Sequence, residues 1–592
     1  MRIKFNIKKF VWVVASMVAG ALTASAIPAH PKPVDVNQSD GTTLTVRLVG
    51  DEFYHRTMTT DGYTLLQLSN GDYVYAQEST ASRLVPSRVI AHNPQARNAQ
   101  ELKLLSSLPK GLTDKNQIAR GQATRLKRDK LMAPRRTDYQ NFRGLLILIN
   151  YNDRTFTYDH DYFDALMNQR DYTGFYNNNG YFVPCTGSAR DYFYQNSMGL
   201  FDPVFDVVGP VNVDYSCTTP NATDDVGGIL IDAINQVDPS VDFSQYDGDG
   251  DGEVDMIYFI VAGYTSNFSG NNSGYLWPHQ YYLFAYTDEL YDDVYLGRYS
   301  CSGEIYGWES YGYTDPNGIG TIVHEFTHAL GIMDLYDTDY SQNGQANHPE
   351  EWDVMSGGSY LNASRTPPGY SIWERYRLGF AEPEVISEKK AGYRLEPVNT
   401  SNTGYMLPTP KDNEVFMVEN RQNTGWDKYL PGHGMLVTRV EYEEDQWWYN
   451  TINANSDHMY YELLRAGNGT GANDNDPFPG TDHVTMLNNL TMPSLLTWDG
   501  QENEMGFDNI AEVDGIIYFD VVNGDGTVPQ HEFGIGDVNH DGSVDIDDVT
   551  QLIGLVLGNG SSGCPVCANV DQSEDGTIDI DDVAALIAII LN

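Results

Sequence analysis

The feature that most constrains this 592-residue chain is the stretch His324 to Asp334, which reads His-Glu-Phe-Thr-His-Ala-Leu-Gly-Ile-Met-Asp. An apolar segment, Ile319 to Val323, precedes it and favours a helix that continues into the stretch. On such a helix His324 and His328 lie one turn apart on the same face. Their imidazole nitrogens can therefore bind the same metal ion.

The residues beyond the second histidine predict how the metal shell is completed. Gly331 lets the helix end in a left-handed turn, so that the chain can return with Asp334, or alternatively Asp337, as a third ligand. Glu325 lies beside the ligands, where it can reach a water molecule rather than the metal. Three protein ligands leave one tetrahedral position open, which is typical of one catalytic Zn²⁺ ion. The alternative is a buried helix with two core histidines.

A second motif follows at Trp352-Asp353-Val354-Met355-Ser356-Gly357-Gly358, where small residues permit a tight turn beneath a metal. Together with the histidine helix it resembles the metzincin zinc peptidases, with Met355 as the Met-turn residue. Some metzincins carry a Tyr two residues after this Met, whereas this chain has Gly357. Tyr360 or His279 could replace that oxyanion-stabilising Tyr, and either could equally be a core residue.

The N-terminus predicts export. Residues 1–26 combine a basic start, an apolar run and the small-residue site Ala24-Ser25-Ala26, as in a signal peptide. We therefore expect a secreted protein, extracellular or tethered to the cell surface, with no transmembrane segment in the mature chain. Export permits disulfides, but the sequence leaves the pairing open for its five cysteines, Cys185, Cys217, Cys301, Cys564 and Cys567.

Charge divides the chain into two unequal parts. Residues 27–136 hold 16 Lys and Arg against 10 Asp and Glu, whereas the whole chain has a net charge of −46. We interpret 27–136 as a small, mainly β prosegment that covers an acidic catalytic face and is released by cleavage in its basic linker. A permanent N-terminal domain is the alternative. So acidic a body argues against nucleic acid as a partner.

Residues 137–384 alternate between strand and helix patterns. The apolar runs Gly144 to Tyr151 and Met256 to Ala262 predict buried strands, and helical patterns fall at 162–168, 189–195 and 226–237. The pattern indicates an α/β (α+β) domain in which helices cover a sheet and the histidine helix is laid against it. The resemblance to the metzincins implies that this is the zinc peptidase domain. Residues 385–525 are β-rich and predict a following all-β domain.

An acidic loop inside the α/β domain is a candidate calcium site. Its carboxylates alternate with glycines at Asp247, Asp249, Asp251, Glu253 and Asp255. This spacing suits one Ca²⁺ ion, although position twelve of the loop is Tyr258 rather than the Glu of an EF-hand. A plain acidic turn is the alternative.

Sequence similarity extends beyond the two motifs. The chain resembles the immune inhibitor A family of secreted bacterial metallopeptidases at Asn141 to Asp153, Ser188 to Gly199, Trp277-Pro278-His279, the histidine stretch, the Met355 turn and Trp373 to Phe380. The resemblance implies that His324, His328 and Asp334 bind zinc and that Glu325 is the catalytic acid and base. Many metzincins use His as the third ligand, and this chain offers only carboxylates there.

Residues 536–592 contain a duplicated calcium-loop pattern. Each copy places oxygen ligands at alternating positions before an apolar helix. The predicted ligands are Asp537, Asn539, Asp541, Ser543, Asp545 and Asp548 in the first copy, and Asp571, Ser573, Asp575, Thr577, Asp579 and Asp582 in the second. The pattern resembles a dockerin module, which implies two Ca²⁺ ions and a cohesin-type partner. Ile546-Asp547 and Ile580-Asp581 depart from the Ser-Thr often found there, and a calcium-stiffened cap is the alternative.

The predicted function is a secreted zinc endopeptidase that acts on protein or peptide substrates. Zinc would lower the pKa of its water to about 7 and polarise the scissile carbonyl. Glu325 would take the proton of the water and deliver it to the leaving amine. The competing interpretation is a tethered binding or scaffold protein whose peptidase fold is inactive.

Overall fold

A computed structural model gives the fold of the chain. It describes residues 28–30, 32–51, 54–68, 70–79, 83–115, 137–218, 226–269, 274–338, 346–469, 471–527, 536–538, 543–556 and 580–591. The predicted signal peptide, the basic linker, Cys564 and Cys567 lie outside these residues.

The N-terminal part is a single antiparallel sheet of six strands in sequential order. The strands are β1 Val34–Asn37, β2 Thr43–Gly50, β3 His55–Thr59, β4 Thr64–Gln67, β5 Tyr73–Glu78 and β6 Leu84–Ile90. Helix α1, Ala99–Leu105, packs against one face, where Leu105 joins Leu44, Leu65 and Tyr75 in a small core. The described residues of this part are therefore mainly β, as the sequence predicted.

The central part is built on a five-stranded sheet with the order β10-β7-β11-β15-β12. Its strands are β7 Arg143–Asn150, β10 Val204–Asn212, β11 Ile257–Val261, β12 His279–Tyr282 and β15 Arg298–Gly303. Strand β7 pairs in parallel with β10 and β11, β11 pairs in parallel with β15, and the edge strand β12 runs antiparallel to β15. The predicted strands at 144–151 and 256–262 are thus the buried centre of the sheet.

Helices cover both faces of this sheet, because β7 is apolar on both sides. Leu146 and Leu148 face one core and Leu145, Ile147 and Ile149 the other. The helices are α2 His160–Asn168, α3 Ala189–Asn196, α4 Val226–Val237, α5 Ser266–Ser269, α6 Gly320–Ala329 and α7 Ile372–Leu378. Small antiparallel pairs join β8 Gly174–Tyr176 to β9 Phe182–Pro184, and β13 Leu290–Tyr291 to β14 Val294–Tyr295. The predicted helices at 162–168, 189–195 and 226–237 are α2, α3 and α4.

The following part contains two packed sheets. One has the order β16-β18-β19-β20-β21 and the other β17-β23-β22. Their strands are β16 Glu384–Val385, β17 Tyr393–Leu395, β18 Tyr405–Pro408, β19 Glu414–Arg421, β20 Gly434–Glu441, β21 Tyr461–Leu464, β22 Met505–Val513 and β23 Ile516–Asn523. Two short helices, α8 Val398–Ser401 and α9 Glu444–Trp448, interrupt the strands. The predicted β-rich region is therefore present, with Phe416, Val437 and Phe519 in a shared core.

The C-terminal residues form two helices, α10 Ile546–Val556 and α11 Ile580–Leu591. They pack through Val549, Leu552, Val583 and Leu586. Within the described ranges, no helix is long and apolar enough to cross a membrane.

Candidate metal centre

Three side chains converge at the centre of the α/β part. His324 Nε2 lies 3.1 Å from His328 Nε2, and Asp334 Oδ1 lies 3.3 Å from the first nitrogen and 3.2 Å from the second. Ligands placed about 2.0–2.1 Å from a tetrahedral zinc ion are separated by about 3.4 Å, so the triangle has the size that such an ion requires. Asp337, the alternative third ligand, does not belong to this group.

Both imidazoles are held in the tautomer that a metal needs. His324 Nδ1 lies 2.7 Å from the carbonyl of Val354, and His328 Nδ1 lies 2.8 Å from the carbonyl of Ile332. A carbonyl only accepts hydrogen bonds, so each Nδ1 carries the hydrogen and each Nε2 presents a lone pair.

The electrostatics of the triangle also fit a cation. All three side chains are buried. Burial lowers the pKa of His324 and so favours its neutral imidazole. Two neutral imidazole lone pairs and a carboxylate in contact repel one another unless a positive charge lies between them. The residues present therefore fit a divalent metal ion.

Contacts from the neighbouring strand β15 fix the position of helix α6 and of its two histidines. Ser300 Oγ donates to the carbonyl of Glu325 at 2.8 Å, and Arg298 Nη1 donates to the carbonyl of Ala329 at 2.7 Å, near the end of the helix. Gly331 then has φ of 101°, a conformation that costs other residues energy. This left-handed residue turns the chain so that the Ile332 carbonyl reaches His328.

The third ligand is held from a distant part of the chain, which the sequence did not predict. Asn450 Nδ2 donates to Asp334 Oδ2 at 2.6 Å, and the backbone nitrogen of Asp334 donates to Asn450 Oδ1 at 2.8 Å. Asn453 Nδ2 donates to the carbonyl of Leu335 at 2.8 Å. Asn450 and Asn453 lie 116 and 118 residues beyond their partners and in the β-rich part, so sequence spacing gave no signal for them.

The predicted Met turn lies directly beside the histidine helix. Met355 is fully buried in the core that includes Val323 and Phe326 of α6. Its backbone nitrogen donates to Asp353 Oδ1 at 2.8 Å, and its carbonyl accepts from the nitrogen of Leu335 at 2.9 Å. The turn therefore connects to both ligand-bearing segments.

Glu325 is a buried residue of helix α6 and follows the ligand His324 directly in the chain. Burial first, and then the charge of Glu325, hold the pKa of Tyr258 well above its ordinary value. Of the two residues considered for oxyanion stabilisation, His279 lies 2.7 Å from Tyr299 Oη within the sheet. Tyr360 donates to the carbonyl of Pro28 at 2.5 Å and accepts from Asn267 Nδ2 at 2.9 Å. Each of these two side chains is already engaged with protein partners.

The acidic loop gathers three carboxylates. Oxygens of Asp247, Asp249 and Asp251 lie within 4.8 Å of one another. Asp255 accepts from the nitrogen of Gly248 at 3.0 Å, and burial chiefly raises its pKa to about 7. The backbone of Glu253 forms an isolated β-bridge with Tyr295, and its carboxylate is not part of the group of three.

The predicted calcium ligands of the C-terminal repeat are described in part. The carboxyl-bearing residues Asp537, Asp548 and Asp582 are buried, and Asp548 Oδ2 accepts from the nitrogen of Asp545 at 2.8 Å. Ser543 precedes helix α10. The remaining predicted ligands, Asn539, Asp541, Asp571, Ser573, Asp575, Thr577 and Asp579, lie outside the described residues.

A His-His-Asp triangle with an adjacent buried Glu, on a helix against a mixed sheet, defines the metallopeptidase class. Comparison with known families gives the same class, because the family described as immune inhibitor A peptidase M6, catalytic domain, matches residues 144–376. Residues 144–376 are therefore similar to the catalytic domain of the immune inhibitor A metallopeptidases.

Two kinds of relative share limited identity with the chain. Immune inhibitor A of Bacillus thuringiensis subsp. alesti is 29% identical over 185 residues, which are 27% of this chain and 26% of the relative. The pre-pro-metalloprotease PrtV of Vibrio cholerae serotype O1 is 24% identical over 245 residues, or 37% of this chain and 26% of the relative. The chain thus spans about a quarter of the length of the relatives it matches.

Proposed function

We propose that the whole chain is a secreted zinc endopeptidase that hydrolyses internal peptide bonds of protein substrates. The observation that carries the proposal is the buried triangle of two Nε2 atoms and one carboxylate oxygen, at separations of 3.1 to 3.3 Å. His324, His328 and Asp334 would hold the metal. When bound, zinc supplies a Lewis acid that polarises the scissile carbonyl and acidifies a water molecule.

Glu325 performs the proton transfers in this proposal. As a buried carboxylate it accepts a proton from the attacking water and later returns it to the amine of the leaving peptide. A direct attack by water needs no covalent intermediate on the protein. The hydrogen bonds from the two Nδ1 atoms to the carbonyls of Val354 and Ile332 leave both Nε2 lone pairs directed at the metal position, so proton transfer falls to Glu325.

The assigned role of Glu325 is tested by Glu325→Gln. The substitution keeps size and polarity but removes the proton acceptor, so we expect kcat on casein or gelatin to fall by about 10³- to 10⁴-fold. Zinc content by mass spectrometry should remain equal to that of the unmutated chain. Substantial turnover by this variant would contradict the role.

We also infer that residues 27–136 are a prosegment, released in the basic linker after the signal peptide of residues 1–26 has been removed. The support is contact between this segment and the α/β part. The backbone nitrogen of His30 donates a hydrogen bond to the carbonyl of Asn267 at 3.1 Å, and His55 stacks on Trp277 with 4.8 Å between the ring centroids. The Vibrio relative is named as a pre-pro-metalloprotease. N-terminal sequencing of the secreted active form tests this: a start near residue 27 in fully active protein would contradict release.

The C-terminal residues 536–592 are proposed to bind two calcium ions and to tether the enzyme to a cohesin-type partner. The described support is the pair of helices α10 and α11, each of which begins with acidic residues. Because the predicted loops concentrate negative charge beside this small core, calcium would be needed for it to fold. Removal of calcium should lower the melting temperature of this module while zinc-dependent cleavage by the catalytic part persists. An unchanged melting profile would contradict calcium binding.

A further inference from the structure

A box of four aromatic rings encloses the side chain of His30. The ring centroid of His30 lies 5.3 Å from Phe268, 5.9 Å from Tyr306, 5.3 Å from Trp308 and 4.9 Å from Tyr360. His30 is only 4% exposed, and Phe268 and Tyr360 are equally buried. At the edge of the ring, Nε2 lies 3.0 Å from Tyr306 Oη.

All four walls of the box come from the α/β part. Phe268 belongs to α5, Tyr306 and Trp308 follow β15, and Tyr360 ends the short 3₁₀ helix Gly357–Tyr360. The walls also contact one another, because the Phe268 ring lies 4.7 Å from Tyr306 and 5.7 Å from Tyr360. The side chain of His30 therefore occupies a pocket whose four walls all belong to the α/β part.

The box is connected to the Met turn that lies beside the histidine helix. Tyr360 is on the segment that follows the Met355 turn, and the charge of Glu325 contributes to raising the pKa of the Tyr360 hydroxyl, after its burial. A cavity of about 280 Å³ lies beside the segment that carries His30. Its lining includes Pro28, Ala29, Tyr336, His348, Ser356 and Gly357. The cavity connects the segment that enters the box with the Met turn and with the chain that follows Asp334.

The occupant is bound as a peptide, through its main chain as well as its ring. The nitrogen of His30 donates to the carbonyl of Asn267, and the carbonyl of Pro28 accepts from Tyr360 Oη. These are contacts that any peptide of similar backbone conformation can make, whereas the ring contacts depend on the side chain. Main-chain contacts supply affinity and a side-chain pocket supplies selectivity.

We propose that the box of Phe268, Tyr306, Trp308 and Tyr360 is the substrate pocket for a ring-bearing side chain, and that His30 fills it in the full chain. This inference rests on the proposed peptidase function. A flat ring fits between the walls by edge-to-face packing, and Tyr306 Oη selects rings with a polar edge. Tyr and His should therefore be preferred, followed by Phe, and Leu or Lys should be poor.

Peptide binding to a variant that cannot cleave tests the pocket independently of catalysis. The test uses the full chain with His30→Ala, to vacate the box, and Glu325→Gln, to prevent cleavage, with short peptides that differ at one position as Tyr, His, Phe, Leu or Lys. We expect ring-bearing peptides to bind at least about tenfold more tightly than the Leu peptide in calorimetry. Equal affinities across the panel would overturn the pocket.

Matched variants assign the selectivity to the box. In the double variant, Phe268→Leu should abolish the preference for rings, and Tyr306→Phe should abolish the advantage of Tyr and His over Phe. His55→Ala, combined with Glu325→Gln, is the control: it removes another ring that joins the two parts but leaves His30 in place, so peptide binding should stay weak. Ring selectivity that survives Phe268→Leu would overturn the assignment.

Cleavage by His30→Ala with Glu325 intact distinguishes failure of the pocket from failure of the proposed peptidase function. Zinc-dependent cleavage without a ring preference would overturn the pocket and keep the peptidase, whereas selective binding without any cleavage would overturn the peptidase and keep the pocket. If His30→Ala does not fold, the cleavage sites that the secreted protein produces in a denatured protein mixture, after release of residues 27–136, decide the question. Enrichment of ring residues at one position relative to the cut supports the pocket, and a flat profile overturns it.

Discussion

The two halves of the candidate metal centre are positioned in different ways. His324 and His328 are fixed by local structure, since both lie on α6 and their Nδ1 atoms bond to carbonyls within 30 and 4 residues of them. Asp334 is held by Asn450, which lies 116 residues away in the β-rich part. The metal site therefore needs two parts of the chain to be folded against each other.

The residues that complete the candidate metal centre extend beyond the part that matches the family. The family match stops at residue 376, whereas the third ligand depends on a residue of the part that follows. The predicted boundary at residue 384 separates sequence patterns, but it cuts through hydrogen bonds of the site. We expect the β-rich part to contribute to metal affinity as well as to stability.

The largest expected effect comes from breaking the local half. His328→Ala removes one of three ligands without disturbing the apolar face of α6. Two remaining ligands cannot hold zinc at neutral pH against a chelating buffer, so zinc content by mass spectrometry and casein cleavage should both fall to background. Retention of one tightly bound zinc would mean that other residues form the site.

Breaking the remote half should have a smaller effect. Asn450→Ala removes the donor to Asp334 Oδ2, and loss of such a supporting contact lowers metal affinity or activity by about 10- to 100-fold. Asn455→Ala is the matched control, because Asn455 lies in the same loop, is exposed, and uses its side-chain oxygen to accept from the nitrogen of Asp457 at 3.0 Å. Equal zinc affinity in the two variants, measured by competition with a chelator, would contradict the dependence on Asn450.

Acid should weaken the segment around the Met turn. His348 Nδ1 accepts from the nitrogen of Glu350 at 3.2 Å, and burial chiefly lowers its pKa to about 3. Because the unfolded chain takes up this proton near pH 6.5 and the folded chain does not, the free energy of unfolding should fall between about pH 6.5 and 3 by at most about 1.4 kcal/mol per pH unit.

The measurement is denaturant unfolding of the metal-free protein as a function of pH. His348→Gln should show a shallower slope in this window than the unmutated chain. Ser356→Ala, which removes the hydroxyl 2.9 Å from Nδ1 but keeps the titrating ring, should keep the steep slope. Identical slopes for all three would show that His348 does not cause the acid sensitivity.

The smallest expected effect tests the end of the histidine helix. Gly331→Ala meets no atom within 4 Å of the added Cβ, so only the positive φ opposes it, and the free energy of unfolding should fall by about 1–2 kcal/mol. Zinc affinity should fall less than in Asn450→Ala, since the helix keeps both histidines. A larger loss of zinc than in Asn450→Ala would reverse the order of importance of the two halves.

The sequence predicted what depends on local spacing. The two histidines four residues apart, the glycine that ends the helix and the Met turn are each encoded within a few residues, and each lies where the patterns placed it. The buried strands β7 and β11 were also predictable, because they are continuous apolar runs. Helices with a regular apolar period, such as α4, followed the same rule.

The parts that were missed depend on tertiary contacts. Strand β15 is buried over five of its six residues but reads Arg-Tyr-Ser-Cys-Ser-Gly, so composition gave no strand signal. Strand β10 is mostly part-exposed and contains Gly209-Pro210. The contact of Asn450 with Asp334 and the four-ring box join residues that lie tens to hundreds of positions apart, and a single sequence contains no record of such proximity.

Diffraction from crystals of the full chain at the zinc absorption edge tests the central claim most directly. We predict one strong anomalous peak about 2.0–2.1 Å from His324 Nε2, His328 Nε2 and Asp334 Oδ1, with a solvent molecule or a substrate group as the fourth ligand. A peak elsewhere, or a fourth ligand supplied permanently by the protein, would contradict a catalytic zinc site at this position.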